Sequence, residues 1–245
     1  MAKKPRLAKY GSVFYDNVSK NKRSSLIILK YLLENLDIKS VLDIGCGTGV
    51  WLESLHEVGV DNVIGVDGEW LLSDKFLLDK QILHIHDLRK PLALNRKFDL
   101  VISLEVAEHI EKSCSDIYIN NLISHSELIL FSCAIPFQGG TNHINEQWPD
   151  YWIKKFYEHD YLCIDFLRQK FWNNENIRWF YSQNIMVFAK SDLLYKSNFL
   201  LYQYKNHNLK GMRLIHPQRY LKTSDPANFN FNFFFRLFKQ KITLR

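Results

Sequence analysis

The sequence predicts an α/β fold in which short strands form one sheet flanked by helices. Two observations carry this. Val41-Leu-Asp-Ile-Gly-Cys-Gly-Thr-Gly49 reads as a buried strand that ends in a tight turn beneath a helix N-terminus. Further apolar, β-rich runs then recur up to residue 190, with helix-like segments between several of them.

The elements follow in order. Residues 1–23 form a basic lead-in, with Tyr10, Phe14 and Tyr15 as docking aromatics. A helix starts at Ser24, a serine N-cap, and Leu26, Leu29, Leu33 and Leu36 recur at helical spacing. The first strand leads into the glycine turn, and Trp51 to Val58 continues as a helix. Gly45, Gly47 and Gly49 permit backbone angles that other residues resist and let a ligand sit against bare main chain. Cys46 is the small packing residue such a turn needs. The next strands are Asn62–Val66, ending at Asp67-Gly68, then Ile82–Leu88, Lys97–Leu104 and Leu128–Cys133. Glu105, Glu108 and His109 follow the fourth strand at i, i+3 and i+4 and are expected on one helical face. A polar loop with two glycines, Ile135 to Trp148, leaves the fifth strand. Open α/β sheets bind ligands beyond such strand ends, which makes this loop a functional candidate. A helix from Pro149 to His159 presents Tyr151, Trp152, Phe156 and Tyr157. The last strands are Tyr161–Leu167 and Asn184–Ala189. Between them, Trp172 to Tyr181 is rich in aromatics and amides, a composition that suits sugar-like faces or a connection stacked on the sheet.

Composition sets bounds. The 245 residues suit one domain with embellishments, divided here as a lead-in 1–23, a body 24–190 and an extension 191–245. An apolar fraction of 47% supports a real core, and no run of about eighteen apolar residues spans a membrane. The basic N-terminus lacks an apolar signal core, so a cytoplasmic protein is expected. Cys46, Cys114, Cys133 and Cys163 are scattered and form no C-x-x-C pair, which fits reduced thiols and gives no zinc cluster. Charge is uneven: +7 over residues 1–30, −9 over 31–190 and +8 over 191–245. Basic ends suit RNA, anionic lipid or phosphorylated substrates, or simply solubilise the termini. His216 to Tyr220 reads as an ordered turn. Asn228 to Lys239 mixes aromatic and basic residues and suits a membrane surface, the body itself or a second subunit. Docking on the body or on a homodimer partner is preferred, with peripheral contact at the inner face of a membrane as the alternative.

The order D-x-G-x-G-x-G over Asp43 to Gly49 resembles the cofactor motif of the class I S-adenosylmethionine (SAM) methyltransferases, whereas dinucleotide enzymes carry G-x-G-x-x-G. Phe98-Asp99 at the start of the fourth strand is similar to the same family. The resemblance covers about residues 24–190. It implies a Rossmann-like, seven-stranded, mostly parallel sheet and SAM as cofactor, with S-adenosylhomocysteine (SAH) as product. It places Asp43, Gly45, Cys46, Gly47 and Gly49 against the methionine part and Asp87 with Leu88 at the adenine. Asp67-Gly68 falls where a carboxylate accepts bonds from ribose hydroxyls. Ser103 and Leu104 complete the expected cofactor wall.

Glu105-Val-Ala-Glu108-His109 also resembles the E-x-x-E-H of ubiquinone-biosynthesis O-methyltransferases. From residue type, the trio could polarise a substrate, hold a divalent cation or hydrogen-bond the loops over the cofactor. The last is preferred, so no metal is assigned, and Glu105, Glu108 and His109 are the set a metal would use. Methyl transfer to a hydroxyl needs alignment and a base. His143 in the polar loop is the first candidate base and His109 the second. An Asn/Asp-Pro-Pro-Tyr type motif is missing after the fourth strand, which favours oxygen over nitrogen as acceptor. His143 to Trp148 and Trp179 to Asn184 look like methyltransferases of bacterial surface-polysaccharide pathways. Glu108, Asn145, Glu146, Trp148, Tyr181 and Asn184 are accordingly the expected substrate contacts. The reading is an O-methyltransferase of capsule-type polysaccharide biosynthesis acting on a sugar or nucleotide-sugar, with nucleic acid disfavoured. Its rivals are a quinone or phenol methyltransferase, an RNA or protein methyltransferase, and a catalytically silent partner subunit.

Overall fold

The computed structural model describes residues 21–71, 76–207 and 213–224. The expectations for the lead-in before residue 21 and for Asn228 to Lys239 lie outside the described residues.

Seven strands form one sheet: β1 (Ser40–Ile44), β2 (Asn62–Asp67), β3 (Leu83–Ile85), β4 (Leu100–Leu104), β5 (Leu128–Ser132), β6 (Tyr161–Ile164) and β7 (Met186–Lys190). Their spatial order is β3-β2-β1-β4-β5-β7-β6. The first five run parallel, and β7 is antiparallel to both neighbours. The sheet is therefore the seven-stranded, mostly parallel, Rossmann-like one expected. Chain order reverses between β1 and β4, which opens a crevice at their carboxyl ends.

Helices cover both faces. Helices α1 (Lys22–Leu33) and α2 (Val50–Glu57) pack with one set of strand residues, including Val41, Leu100 and Leu130. Helices α3 (Ser115–Ile123) and α4 (Pro149–Tyr157) cover the other, including Leu42, Ile44 and Phe131. Alternate residues of β1 thus enter opposite layers, as a strand's two-residue period requires. The chain continues through α5 (Leu167–Phe171) and α6 (Trp179–Asn184) before β7, then α7 (Ser191–Lys196), α8 (Asn198–Asn206) and α9 (Pro217–Ser224).

Three local expectations need correcting. Helix α1 begins two residues before Ser24, and Ser24 and Ser25 are buried within it; the Ser25 hydroxyl meets that of Ser54. Its buried stripe is Ser25, Ile28, Leu29 and Leu32, because the sheet selects that face over the Leu26–Leu36 series. In α4, Trp152 and Phe156 are buried and Tyr151 packs beside them half-buried, but Tyr157 faces solvent, so one member of the expected aromatic face does not pack. His216 leads into α9 and forms no isolated turn.

Asp165 and Arg168 form a buried ion pair beyond β6. Arg168 Nε donates to Asp165 Oδ1 at 2.7 Å, and its Nη1 donates to the Gln183 carbonyl at 3.3 Å. This clamp ties the end of β6 to α6. Removing one partner strands a buried charge, which costs about 3–5 kcal/mol. We expect Asp165→Asn to lose about 3 kcal/mol in urea unfolding; a loss within about 0.5 kcal/mol would show the clamp to be dispensable.

Candidate active site

A cavity of about 760 Å³ lies at the carboxyl ends of β1, β2 and β4. Asp43, Gly45, Cys46, Gly47 and Asp67 line one part. Leu104, Glu105, Glu108, His109 and His143 line another, and Asp87, Leu88 and Tyr181 complete the expected residues found there.

The glycine turn is shaped by necessity. Gly45 has φ of 87°, and a Cβ there would meet Val106 Cγ2 at 2.4 Å. Gly49 caps α2 at φ 83° with no side-chain bond to the first turn. Asp67 Oδ2 accepts from the Gly47 amide and Oδ1 from the Gly68 amide, both at 2.6 Å. These bonds draw the end of β2 onto the turn. Cys46 is buried, and a Cβ on Gly65 would meet its sulfur at 2.8 Å, so Cys46 fills the step between strands, in keeping with its packing role.

Burial dominates the electrostatics. It pushes the Asp43 carboxyl well above the usual carboxylate range, and the neighbouring Asp67 adds to this. Asp43 Oδ2 is buried with no hydrogen-bond partner among the described residues. Burial raises Asp67 to about 6 against the opposing Gly47 and Gly68 amides. Asp87 goes the other way: the Arg89 guanidinium, donating from Nε at 2.8 Å, lowers it. An ammonium group fits beside Asp43, and vicinal hydroxyls fit Asp67.

Beyond β4 the trio is assembled differently from the expectation. Glu105 sits in the left-handed region at φ 56°, and only a short 3-10 turn, Ala107–His109, follows. No α-helix runs through these residues, so the shared helical face is replaced by a sharp turn that aims all three into the cavity. Two amides hold Glu105: Asn184 Nδ2 donates to Oε1 at 3.0 Å and Gln138 Nε2 to Oε2 at 3.1 Å. Burial raises its carboxyl. Glu108 is fully buried and raised further, first by burial and then by Glu105.

His143 arrives from the polar loop. The amides of Ile144 and Asn145 both donate to the Glu108 carbonyl, at 2.9 and 3.0 Å. Glu146 gathers the same loop, accepting from the amides of Phe137 at 2.8 Å and Gly139 at 2.7 Å and meeting His143 Nδ1 at 2.9 Å. A carboxylate only accepts, so Nδ1 carries the proton and Nε2 faces inward, 3.9 Å from Glu108 Oε1. His109 lies edge-on to it, with ring centroids 4.9 Å apart.

Several expected contacts stand behind the cavity wall. The Ser103 hydroxyl is fully buried, donates to the Ile44 carbonyl at 2.6 Å and meets the Tyr118 hydroxyl, so it braces β1 against β4. Gly49 and Gly68 support the turn from outside the lining. Asn145 is buried, its Oδ1 accepting from Gln147 Nε2 at 2.9 Å. Glu146 and Asn184 hold His143 and Glu105 in place. Trp148 precedes α4 under the Arg213 guanidinium, 5.8 Å from the ring centroid. These residues position the lining, because their polar atoms are already engaged or lie outside it.

Sequence reasoning missed an amide cluster. Gln183 Nε2 donates to Gln138 Oε1 at 2.9 Å, and Asn184 Nδ2 reaches the same oxygen at 3.0 Å. Gln183 Oε1 accepts from the His216 amide at 2.8 Å, which joins the C-terminal extension to the site. Arg89, Lys90 and Arg178 also line the cavity, with Trp179 and Phe180 beside them. The only sequence signal was the run of amides itself.

A family model described as "Methyltransferase domain" matches residues 20–179. The chain belongs to this methyltransferase-domain family. SAM fits the site: Asp43 Oδ2 has no hydrogen-bond partner among the described residues, and the glycine turn presents main chain free of side chains. Curated relatives include tRNA U34 carboxymethyltransferases. That of Pseudomonas syringae pv. tomato (strain ATCC BAA-871 / DC3000) is 31% identical over 113 residues, 42% of this chain and 35% of the relative. That of Pseudomonas aeruginosa (strain LESB58) is 37% identical over 78 residues, 29% of this chain and 24% of the relative. The chain spans about a third or less of the length of these relatives. Among solved structures, the SAH-bound magnesium protoporphyrin IX methyltransferase from Synechocystis PCC 6803 has a TM-score of 0.54 at 18% identity, covering 75% of this chain and 90% of that one. A SAM-bound amino pentose methyltransferase from Micromonospora echinaspora gives 0.54 at 13%, covering 74% and 98%. At these identities the likeness shows the fold.

The ribose contact expected of Asp67 draws on its ionised form. Because its carboxyl is raised, to about 6, the folded state holds that proton more tightly than the unfolded one. Its contribution to apo stability therefore falls as pH rises from about 4 to about 6 and is flat above. Ribose binding draws on the opposite, ionised form. We expect SAH affinity by calorimetry to weaken severalfold from pH 7.5 to pH 5.5, and Asp67→Asn to remove most of that dependence.

Proposed function

We propose that the enzyme transfers the SAM methyl group to a hydroxyl of a sugar or nucleotide-activated sugar used in surface-polysaccharide synthesis. The observation that carries the reading is His143: its Nδ1 is tied to Glu146, its Nε2 lies 3.9 Å from Glu108 Oε1, and the residue lines the cavity that also contains the glycine turn. A hydroxyl is a weak nucleophile until it loses its proton, and this is the group placed to bring that about. His109 is its neighbour and Glu108 lies opposite. When bound, the cofactor supplies an activated methyl on a cationic sulfur. The chain supplies alignment: the cofactor-binding turn and the deprotonating end open into one space.

The lining supports a sugar linked to phosphate. Trp179, Phe180 and Tyr181 offer aromatic faces, and Arg89, Lys90 and Arg178 offer cationic groups to an anionic carrier. The curated relatives favour a second reading, an RNA acceptor, since their names specify tRNA. The same cationic groups serve a phosphate backbone. Among the described residues no helix is long and apolar enough to cross a membrane.

We expect SAH release when the protein and SAM meet one of a panel of nucleotide-sugars, and none with tRNA transcripts. Turnover on tRNA alone would replace the sugar reading with the RNA one. His143→Ala should lower turnover by about 100-fold or more while leaving SAH affinity within about twofold. An unimpaired variant would remove His143 from the chemistry.

A further inference from the structure

We propose that helix α9 and the residues leading into it dock on an anionic lipid bilayer. The segment lies beyond residues 20–179 of the methyltransferase domain and belongs to this chain's extension. Its placement is inverted: the polar side meets protein, and the apolar side meets water.

Residues three, four and seven apart share a helix face. Pro217, Tyr220, Leu221 and Ser224 make one such face of α9, and Arg219 with Thr223 makes the opposite one. The contacts settle which of them meets the body. Arg219 Nη2 donates to the Phe137 carbonyl, and burial there outweighs the nearby Glu146 carboxylate and lowers the guanidinium pKa. Thr223 is half-buried beside it. Tyr220 and Leu221 are 61% and 64% exposed, and no residue of α9 is buried. A globular helix turns its apolar stripe to the core. A helix that does the reverse gains from that stripe only when a partner covers it.

The stretch before the helix extends the patch. His216 is buried and pins it: its amide donates to Gln183 Oε1 at 2.8 Å, and Nε2 meets the Trp172 carbonyl at 2.9 Å. Leu214 and Ile215, just ahead of this anchor, are left in water. Phe137, whose carbonyl holds Arg219, is exposed as well. Five large apolar side chains therefore stand in solvent along one anchored segment and the loop it clasps. Single exposed apolar residues are ordinary, whereas a group of them marks an interaction surface.

Charge selects the occupant. From Arg213 to Arg245 the sequence carries seven Lys or Arg against Asp225, a balance of +6. Arg213 is paired with Asp150 at 2.8 Å, which still leaves a positive excess. A second copy would bring the same excess to the face. Residues 226–245 would bring four more basic residues and no acidic one. Neither complements it. Nucleic acid matches the charge but offers little to Leu214, Ile215 and Leu221. A bilayer with acidic headgroups takes both features: the cations meet phosphates, and the apolar side chains enter the boundary between headgroups and acyl chains. Docking there holds the loop that carries His143 at the membrane surface, because Arg219 grips that loop at Phe137. The inference concerns binding alone and does not rest on a sugar acceptor.

The test uses the full chain and vesicles of phosphatidylcholine, alone or with about one-third phosphatidylglycerol. Co-sedimentation should show binding to the mixed vesicles, binding several-fold weaker to phosphatidylcholine alone, and release at high salt. The paired change Tyr220→Ser with Leu221→Ser should weaken partition about tenfold or more. Its urea midpoint should stay that of the unmodified chain, since α9 has no buried residue. Failure of the unmodified chain to bind the mixed vesicles overturns the proposal. Wild-type partition of the paired variant does so too, because it moves the contact elsewhere. A dimer that the paired change splits would make the face a contact between copies, and a lowered urea midpoint would show the chain covering its own face; either result replaces the bilayer as occupant.

Discussion

The contact between Gly45 and Val106 is the constraint on which the site depends. Strands β1 and β4 are neighbours, yet the chain leaving each must turn a different way. With no side chain at Gly45, Val106 enters the space beside the turn. That entry lets Glu105 adopt its left-handed conformation and sets the 3-10 turn of Ala107–His109 beside the cofactor motif. A bulkier residue at Gly45 would push apart the two surfaces that have to meet. The switch in strand order makes a crevice, and this glycine makes it narrow enough for chemistry.

The cavity stores unfavourable charge. Asp43, Asp67, Glu105 and Glu108 are all raised by burial, so ionising each there is harder than in water. Partners offset this unevenly. Backbone amides serve Asp67 and side-chain amides serve Glu105, whereas Asp43 Oδ2 and both Glu108 oxygens lack a hydrogen-bond partner among the described residues. The two unpaired carboxylates stand at different parts of the cavity, one by the glycine turn and one by His143. Such a distribution favours cationic guests over neutral ones at both places.

The fold was legible because it is written in local terms. Asp43 to Gly49 spells out a strand, a turn and a helix start, and each expected strand has a counterpart in the sheet, although Leu167 and Asn184 lie in α5 and α6 and not in strands. The meeting of Asp43, Gly45, Gly47 and Asp67 in one cavity was legible for the same reason, since all four lie at or just past strand ends. The remainder depends on contacts far apart in sequence. Nothing local shows that Glu105 takes a positive φ, so the i, i+3, i+4 spacing suggested a helical face that does not exist. Nothing local shows that the Glu108 carbonyl collects the amides of Ile144 and Asn145, which is what brings His143 to His109. Ser103 and Asn145 looked like contacts because polar residues at strand ends often are, but their polar groups are engaged within the protein.

The antiparallel course of β7 has a consequence for how this scaffold can diversify. A strand of reversed polarity begins at the edge where its parallel neighbours finish, so the ligand-facing rim receives chain on its way into the sheet as well as out of it. Gln183 and Asn184 stand at that point of entry, far along the chain from the glycine turn. Insertions ahead of β7 can therefore rebuild the guest-facing wall while the nucleoside-binding half stays untouched, which separates acceptance of new substrates from upkeep of the shared chemistry.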